Sequence, residues 1–199
     1  MASVVTHFVV GAALALPAME VAALRRVMAR WALPVTAGLF AVAPDLDTCA
    51  MIVFGIPRGG FLSHRGFFHS PFFLMLLACA VAALATRAAG GRAFLWLAAV
   101  WAGAAITHPL LDMLTDSGAP VMLLFPFSSE RLHFPWRPIR VPSSIAQFLD
   151  RQRLILPSEL PFRTAAVMMG LAARRLVAAS SRSVPPSPEP GAATSPAVK

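Results

Sequence analysis

The chain has 199 residues and a formal charge of +8; 57% of it is hydrophobic, 13% is charged, and the mean hydropathy is +0.69. An ordinary soluble domain carries about 25% charged residues, so this composition excludes a soluble globular enzyme and points to a membrane protein. Sixteen arginines and one lysine carry the charge, mostly between apolar runs; there positive charge marks helix ends and lipid headgroups, so the expected partner is membrane lipid and not nucleic acid.

Five apolar segments follow in chain order. The first, 4–19 (VVTHFVVGAALALPAM), has no basic stretch before it and is followed by Arg25 and Arg26, which reads as a retained helix and not a cleaved signal peptide. The second is 31–54, interrupted by "APDLDTC"; the third is 71–86 and the fourth 93–114. A bilayer core of about 30 Å needs about 20 helical residues, a length that the fourth segment meets, that the second meets only if its carboxylates are counted, and that the first, the third and a fifth at about 161–179 do not. Residues 115–160 are spotted with proline and interleave arginine with aromatics ("LHFPWRPIRVP"). They suit an amphipathic connection lying at the headgroups, with Trp136 as an interfacial anchor. A fifth helix is expected at 161–180. The stretch 181–199, rich in proline, serine and alanine, reads as a disordered tail. Cys49 and Cys79 each lie alone in an apolar run and are expected as buried thiols without a disulfide. The fold class is therefore all-α: a polytopic membrane bundle with a four-helix core at 1–114 and one helix more.

Ionisable residues inside apolar segments are costly and mark function by default. Here they are few: His7 in the first segment, Asp45 and Asp47 in the second, His64 and His69 just before the third, and His108 and Asp112 near the end of the fourth. Threaded as antiparallel helices, starts of odd segments and ends of even ones fall on one side, so all seven residues converge at one end of the bundle. The loops 20–30 and 87–92 at the other end hold Glu20 and arginines, without histidine or aspartate. His108 and Asp112 are spaced i,i+4 and share a helix face. Pro44 biases its surroundings toward extended chain, in which Asp45 and Asp47 would point the same way. Gly66 allows a bend between His64 and His69, while Ser70 and Pro71 read as N-cap and first helical residue.

A dense set of imidazoles and carboxylates with few cations beside it is unstable when buried, and a divalent metal resolves this. The mixed ligand set favours zinc, manganese or iron, as one ion or two. The expected ligands are His7, Asp45, Asp47, His64, His69, His108 and Asp112. An aspartate not engaged as a ligand, Asp47 or Asp112, is the expected general base. Arg65 is expected to hold an anionic substrate group, because guanidinium matches phosphate in two-point contact, or, on the plainer reading, to anchor at the membrane interface or pair with a nearby aspartate; Arg58 is a lesser candidate for the anion role. Asp116 reads as the start of a turn, and Phe67 and Phe68 as core or lipid contacts.

"THFVVGAALA", "PDLD" at 44–47, "HRGFFHS" at 64–70 and "HPLLD" at 108–112 occur in that order, followed by "LTDSG…LLFPFS" and "FPWRPI". Together they resemble the bacterial family of predicted inner-membrane, metal-dependent hydrolases, one branch of which is LexA-regulated, over about residues 1–145. The serine after Asp116 departs from the aromatic often found there. The resemblance implies a multi-pass helical protein of the bacterial inner membrane with a metal site at the seven residues above. A looser likeness, in style only, is to all-helical zinc phospholipases and nucleases. The expected function is metal-dependent hydrolysis at the membrane, on a phosphoester or lipid-like substrate. The alternative is a non-enzymatic divalent-metal-binding membrane protein for transport, sensing or structure.

Overall fold

The computed structural model describes residues 3–141 and 145–182; most of the expected tail, from residue 183 on, lies outside them. Among the described residues the architecture is helical throughout, with only isolated backbone bridges at Thr115–Ile139 and Val121–Leu132. The six α-helices are α1 (Val4–Leu14), α2 (Ala32–Val42), α3 (Leu46–Phe54), α4 (Pro71–Thr86), α5 (Gly91–Met113) and α6 (Ile145–Arg182).

Small residues let these helices approach closely. The buried core holds Ala37 and Ala41 on α2, Ala78 and Ala82 on α4, and Ala98 and Ala102 on α5, pairs spaced one helical turn apart. Gly11 on α1 lies against this alanine face: a Cβ there would stand 2.4 Å from that of Ala41, so only glycine fits. Trp101 stacks on Phe40 at 4.6 Å and donates its indole N–H to Thr36 Oγ1 at 3.0 Å, tying α5 to α2. The outer faces are apolar instead, with Leu39, Leu84 and Leu95 all well exposed; in a bilayer such faces meet lipid.

Two helical stretches, Ala32–Phe54 and Gly91–Met113, are long and apolar enough to cross a membrane. Val4–Glu20 and Pro71–Thr86 are apolar but shorter; the 16 residues of α4 reach about 24 Å, short of the hydrocarbon thickness of about 30 Å.

Three local expectations are corrected. Asp45 and Asp47 do not lie in extended chain: Ala43–Asp45 form a 3-10 turn between α2 and α3, because Pro44 sits in its first turn, where a missing N–H costs nothing. The last helix starts at Ile145, well before residue 161, and runs through Pro157 and Pro161. Proline in a helix interior removes a backbone hydrogen bond; in this stretch Ser158 Oγ donates to Ile155 O at 2.7 Å and Thr164 Oγ1 to Leu160 O at 2.9 Å. Cys49 is exposed on α3 and not buried.

Residues 114–141 fold over the end of the bundle. Asp116 N donates to Ile139 O at 2.8 Å, and Val121 and Leu132 exchange backbone bonds of 2.9 and 2.8 Å. Val121 and Ile139 are buried, whereas Phe127 and Trp136 stand out from the surface.

Candidate metal centre

Four separate parts of the chain deliver side chains to one buried cluster. α1 brings His7; the turn before α3 and the first turn of α3 bring Asp45 and Asp47; the loop before α4 brings His64, Arg65 and His69; the last turns of α5 bring His108 and Asp112. All eight residues expected at the site come together. His7, Arg65, His69, His108 and Asp112 are wholly buried, and His64 alone keeps a substantial exposed fraction, 22% of its side chain.

Local chemistry explains how the loop carries three of them. Arg65 adopts a left-handed backbone (φ 62°), which costs a non-glycine residue roughly 1–2 kcal/mol and is offset by its contacts. Its Nε lies 2.9 Å from Asp112 Oδ2, Nη1 donates to Ala119 O at 2.8 Å and Nη2 to Thr115 Oγ1 at 3.1 Å. Met122 N donates to Arg65 O at 2.9 Å. At Gly66 a Cβ would meet Phe61 O at 2.2 Å, so the next residue must be glycine. Ser70 is the N-cap of α4 by position, but its hydroxyl bonds Phe125 O at 2.6 Å instead of capping the helix. Phe61, Phe67, Phe68, Phe73 and Phe125 pack edge-on or tilted around the loop with centroids 4.7–5.5 Å apart.

The donors overlap in three groups: His7, His108 and Asp112; Asp45, His69 and His108; Asp47, His64 and His69. In the central group, Asp45 Oδ1 lies 3.3 Å from His108 Nε2 and 4.0 Å from His69 Nε2. Asp112 Oδ2 stands 3.8 Å from both imidazole nitrogens. Ligands of a tetrahedral ion with bonds of 2.0–2.2 Å stand roughly 3.3–3.6 Å apart; the Asp45–His108 distance meets this and the others are a few tenths of an ångström longer, so Asp45, His69 and His108 form a group that could hold a metal ion, with Asp112 beside it. His7 stacks on His108 at 3.8 Å, with its Nε2 3.6 Å from Asp112 Oδ1. His108 Nδ1 lies 2.7 Å from Ala41 O, His69 Nδ1 is 3.2 Å from Asp47 Oδ2, and His64 Nδ1 is 2.9 Å from Asp47 Oδ1.

Among the described residues, both nitrogens of His7, both oxygens of Asp45, and Nε2 of His64, His69 and His108 are buried without a hydrogen-bond partner. Buried polar atoms are nearly always satisfied, so the chemistry of this donor set fits a divalent cation. Charge agrees. With neutral imidazoles, three carboxylates face one guanidinium and leave two negative charges buried, which a divalent ion neutralises. His69, in the connection outside the spanning stretches, is neutral at physiological pH: burial pushes it down to about 4, against the raising effect of Asp47. Neutral imidazole is the form that binds metal.

His133 joins none of the three groups, and Asp116 Oδ1 accepts from Val141 N at 3.0 Å, a structural bond within the cap. Two residues escaped sequence reasoning. Glu159 on α6, 1% exposed, accepts from Ser3 N at 2.6 Å, Ser3 Oγ at 2.5 Å and Thr6 Oγ1 at 2.6 Å. It thereby clamps the start of α1 one residue from His7. Arg131 donates to Arg65 O at 3.2 Å, Gly60 O at 2.9 Å and Ser63 Oγ at 3.1 Å, pinning the histidine loop. Neither contact leaves a local sequence signal, because each joins residues far apart in the chain.

Comparison with known proteins adds membership and location. The inner membrane protein YbcI of Escherichia coli (strain K12) is 33% identical over 114 residues, which is 55% of this chain and 63% of the relative. No solved structure matches. Both names that the comparisons supply describe a location and no chemistry. A family model, described as YdjM inner membrane protein, matches residues 1–182, from ahead of the first histidine of the cluster to the end of α6. The chain belongs to this bacterial inner-membrane family.

Proposed function

We propose that this protein is a membrane-bound, metal-dependent hydrolase acting on a phosphoester or lipid-like substrate. One observation supports the reading: buried imidazole and carboxylate atoms without hydrogen-bond partners fall into three overlapping groups that could hold a metal ion. In this reading α1, the α2–α3 pair, α4 and α5 all cross the bilayer, and the cluster lies at one end of that bundle.

Asp45, His69 and His108 would hold a zinc or manganese ion, with Asp112 and His7 beside it. A divalent ion supplies Lewis-acid polarisation of a substrate oxygen and acidifies water toward neutrality. The chain's own residues do the rest. Ala41 O accepts the Nδ1 proton of His108, and Asp47 Oδ2 that of His69, which leaves both Nε2 lone pairs turned to the centre. Arg65 Nε pairs with Asp112 Oδ2 at 2.9 Å. Its guanidinium is buried and bonded on every nitrogen, so its role is to position Asp112 and not to meet the substrate. Asp47 acts as a base through His64: it accepts the Nδ1 proton, and Nε2 of His64, the buried nitrogen of the one partly exposed ring in the cluster, takes a proton from the attacking water and returns it to the leaving group. Charge balance favours one ion; a second would fall at Asp47, His64 and His69.

The near-complete burial of the cluster favours a second reading, a closed site in which metal only joins helix ends. Elemental analysis of detergent-purified protein tests both. One or two equivalents of zinc, manganese or iron support a metal site, and hydrolysis of a phosphoester that is lost in His64→Ala while metal is retained supports the hydrolase. Metal without such hydrolysis supports the closed site, and no metal after add-back refutes both.

A further inference from the structure

A cleft of 570 Å³ opens beside His64, within the size range of small-molecule sites of about 300–1,000 Å³. Thr48, Met51, Ile52, Ile56, Arg58 and Ser63 form most of its walls, and His64 is the one cluster residue among its lining. Three properties define what it fits. Most of the wall from α3 and the residues after it is apolar: Met51, Ile52 and Ile56. The lining contains one guanidinium and no carboxylate, and among the described residues Arg58 makes no ion pair or hydrogen bond. The outer wall continues into Ile52, Val53 and Phe54, which are 80%, 73% and 77% exposed at the end of a spanning stretch, a surface that lipid covers.

An unpaired guanidinium binds phosphate in two-point contact, and exposed apolar side chains at bilayer level open the cleft to molecules held in the membrane. We infer that this cleft admits a phosphate-bearing amphiphile, with Arg58 on the phosphate and Met51, Ile52 and Ile56 against the first methylenes of its tail. His64 at the inner side then faces the phosphoester. Use of the cleft for substrate rests on the hydrolase reading; binding in the cleft rests on its own geometry. A competing entrance lies on the other side of α3, where an almost wholly apolar groove lined by Ala43, Leu46 and Leu77 reaches Asp47.

Calorimetric titration of the full chain in maltoside detergent, with empty micelles as blank, tests the inference. The probes are dihexanoyl phosphatidic acid, inorganic phosphate and dihexanoylglycerol; the proteins are wild type, Arg58→Gln and Leu77→Trp, each with its metal content measured. Arg58 is exposed and, among the described residues, without partners, so its replacement leaves folding and metal content unchanged. Phosphatidic acid is expected to bind wild type about tenfold or more tighter than either partial probe, and to lose about tenfold or more in Arg58→Gln but not in Leu77→Trp. Equal binding to Arg58→Gln overturns the inference, as does loss confined to Leu77→Trp, which moves entry to the groove. Inorganic phosphate binding as tightly as phosphatidic acid makes the cleft a site for a soluble anion, and dihexanoylglycerol binding as tightly makes it an apolar groove; either result overturns it. The expected pattern in protein that carries no metal refutes the hydrolase and leaves a lipid site. Metal without the pattern refutes the cleft alone.

Discussion

The two ends of the bundle use the same charged groups to opposite effect. At one end Glu20 pairs with Arg25 at 3.2 Å and Arg174 at 2.9 Å, and the two arginines keep 39% and 36% of their side chains in contact with solvent. At the other, Asp112 and Arg65 pair at 2.9 Å with nothing exposed. Surface pairs contribute little, because water and salt screen them and ordering two long side chains costs entropy. A buried pair is different: removing one partner strands the other charge. The aspartates around Asp112 outnumber the single guanidinium, and the imbalance is what makes that end a site. The Glu20 end is a fastening, where charges find whichever partner is near.

Substitutions that break this contrast should differ in size. The largest effect is expected for His69→Ala and Asp112→Ala, which remove a donor of the central group and the carboxylate beside it, and should abolish bound metal in elemental analysis. Leu76→Ala, on the exposed side of α4, should keep full metal; Leu74 is a poorer control because it is buried and its truncation leaves a cavity costing about 2–5 kcal/mol. Next comes Arg65→Met, which leaves Asp112 buried without its cation and should destabilise the metal-free protein by about 3–5 kcal/mol in denaturant unfolding. A smaller penalty in metal-loaded protein would show that the ion takes over the neutralisation.

Glu159→Ala should cost about 1–3 kcal/mol, the usual range for stranding buried donors, here those of Ser3 and Thr6. It should also weaken metal binding through His7, read by competition with a chelator. Unchanged metal affinity would restrict the clamp to stability. The smallest effect belongs to Glu20→Gln, expected to leave metal content and thermal midpoint where they are. A loss of metal there would erase the distinction between the two ends.

Much of the site was legible because membrane chains make polarity rare. Against runs such as PFFLMLLACAVAALAT, each histidine and aspartate stands out, and alternation of helix direction sorts His7, Asp45, Asp47, His64, His69, His108 and Asp112 to one end without knowledge of packing. What each residue does at that end was less legible. The guanidinium of Arg65 was expected to face substrate, yet Asp112, Thr115 and Ala119 occupy it, and those contacts span about fifty residues of intervening chain. Arg58 stands in the cleft lining without a partner among the described residues, because the loop from Pro57 to His69 folds inward at Arg65 and Gly66 and not at Arg58.

Composition and spacing thus determined, without coordinates, that the chain is helical and apolar, and that one end gathers its imidazoles and carboxylates. These properties follow from hydropathy and chain direction, which are local or additive along the sequence. Only the tertiary structure decided which nitrogen faces which oxygen, that α6 runs through its prolines to bring Glu159 onto α1, and that His64 alone among the cluster reaches the cleft. Those outcomes depend on side chains from distant segments competing for the same few donors and acceptors in a place without water, and no single stretch of sequence encodes the result.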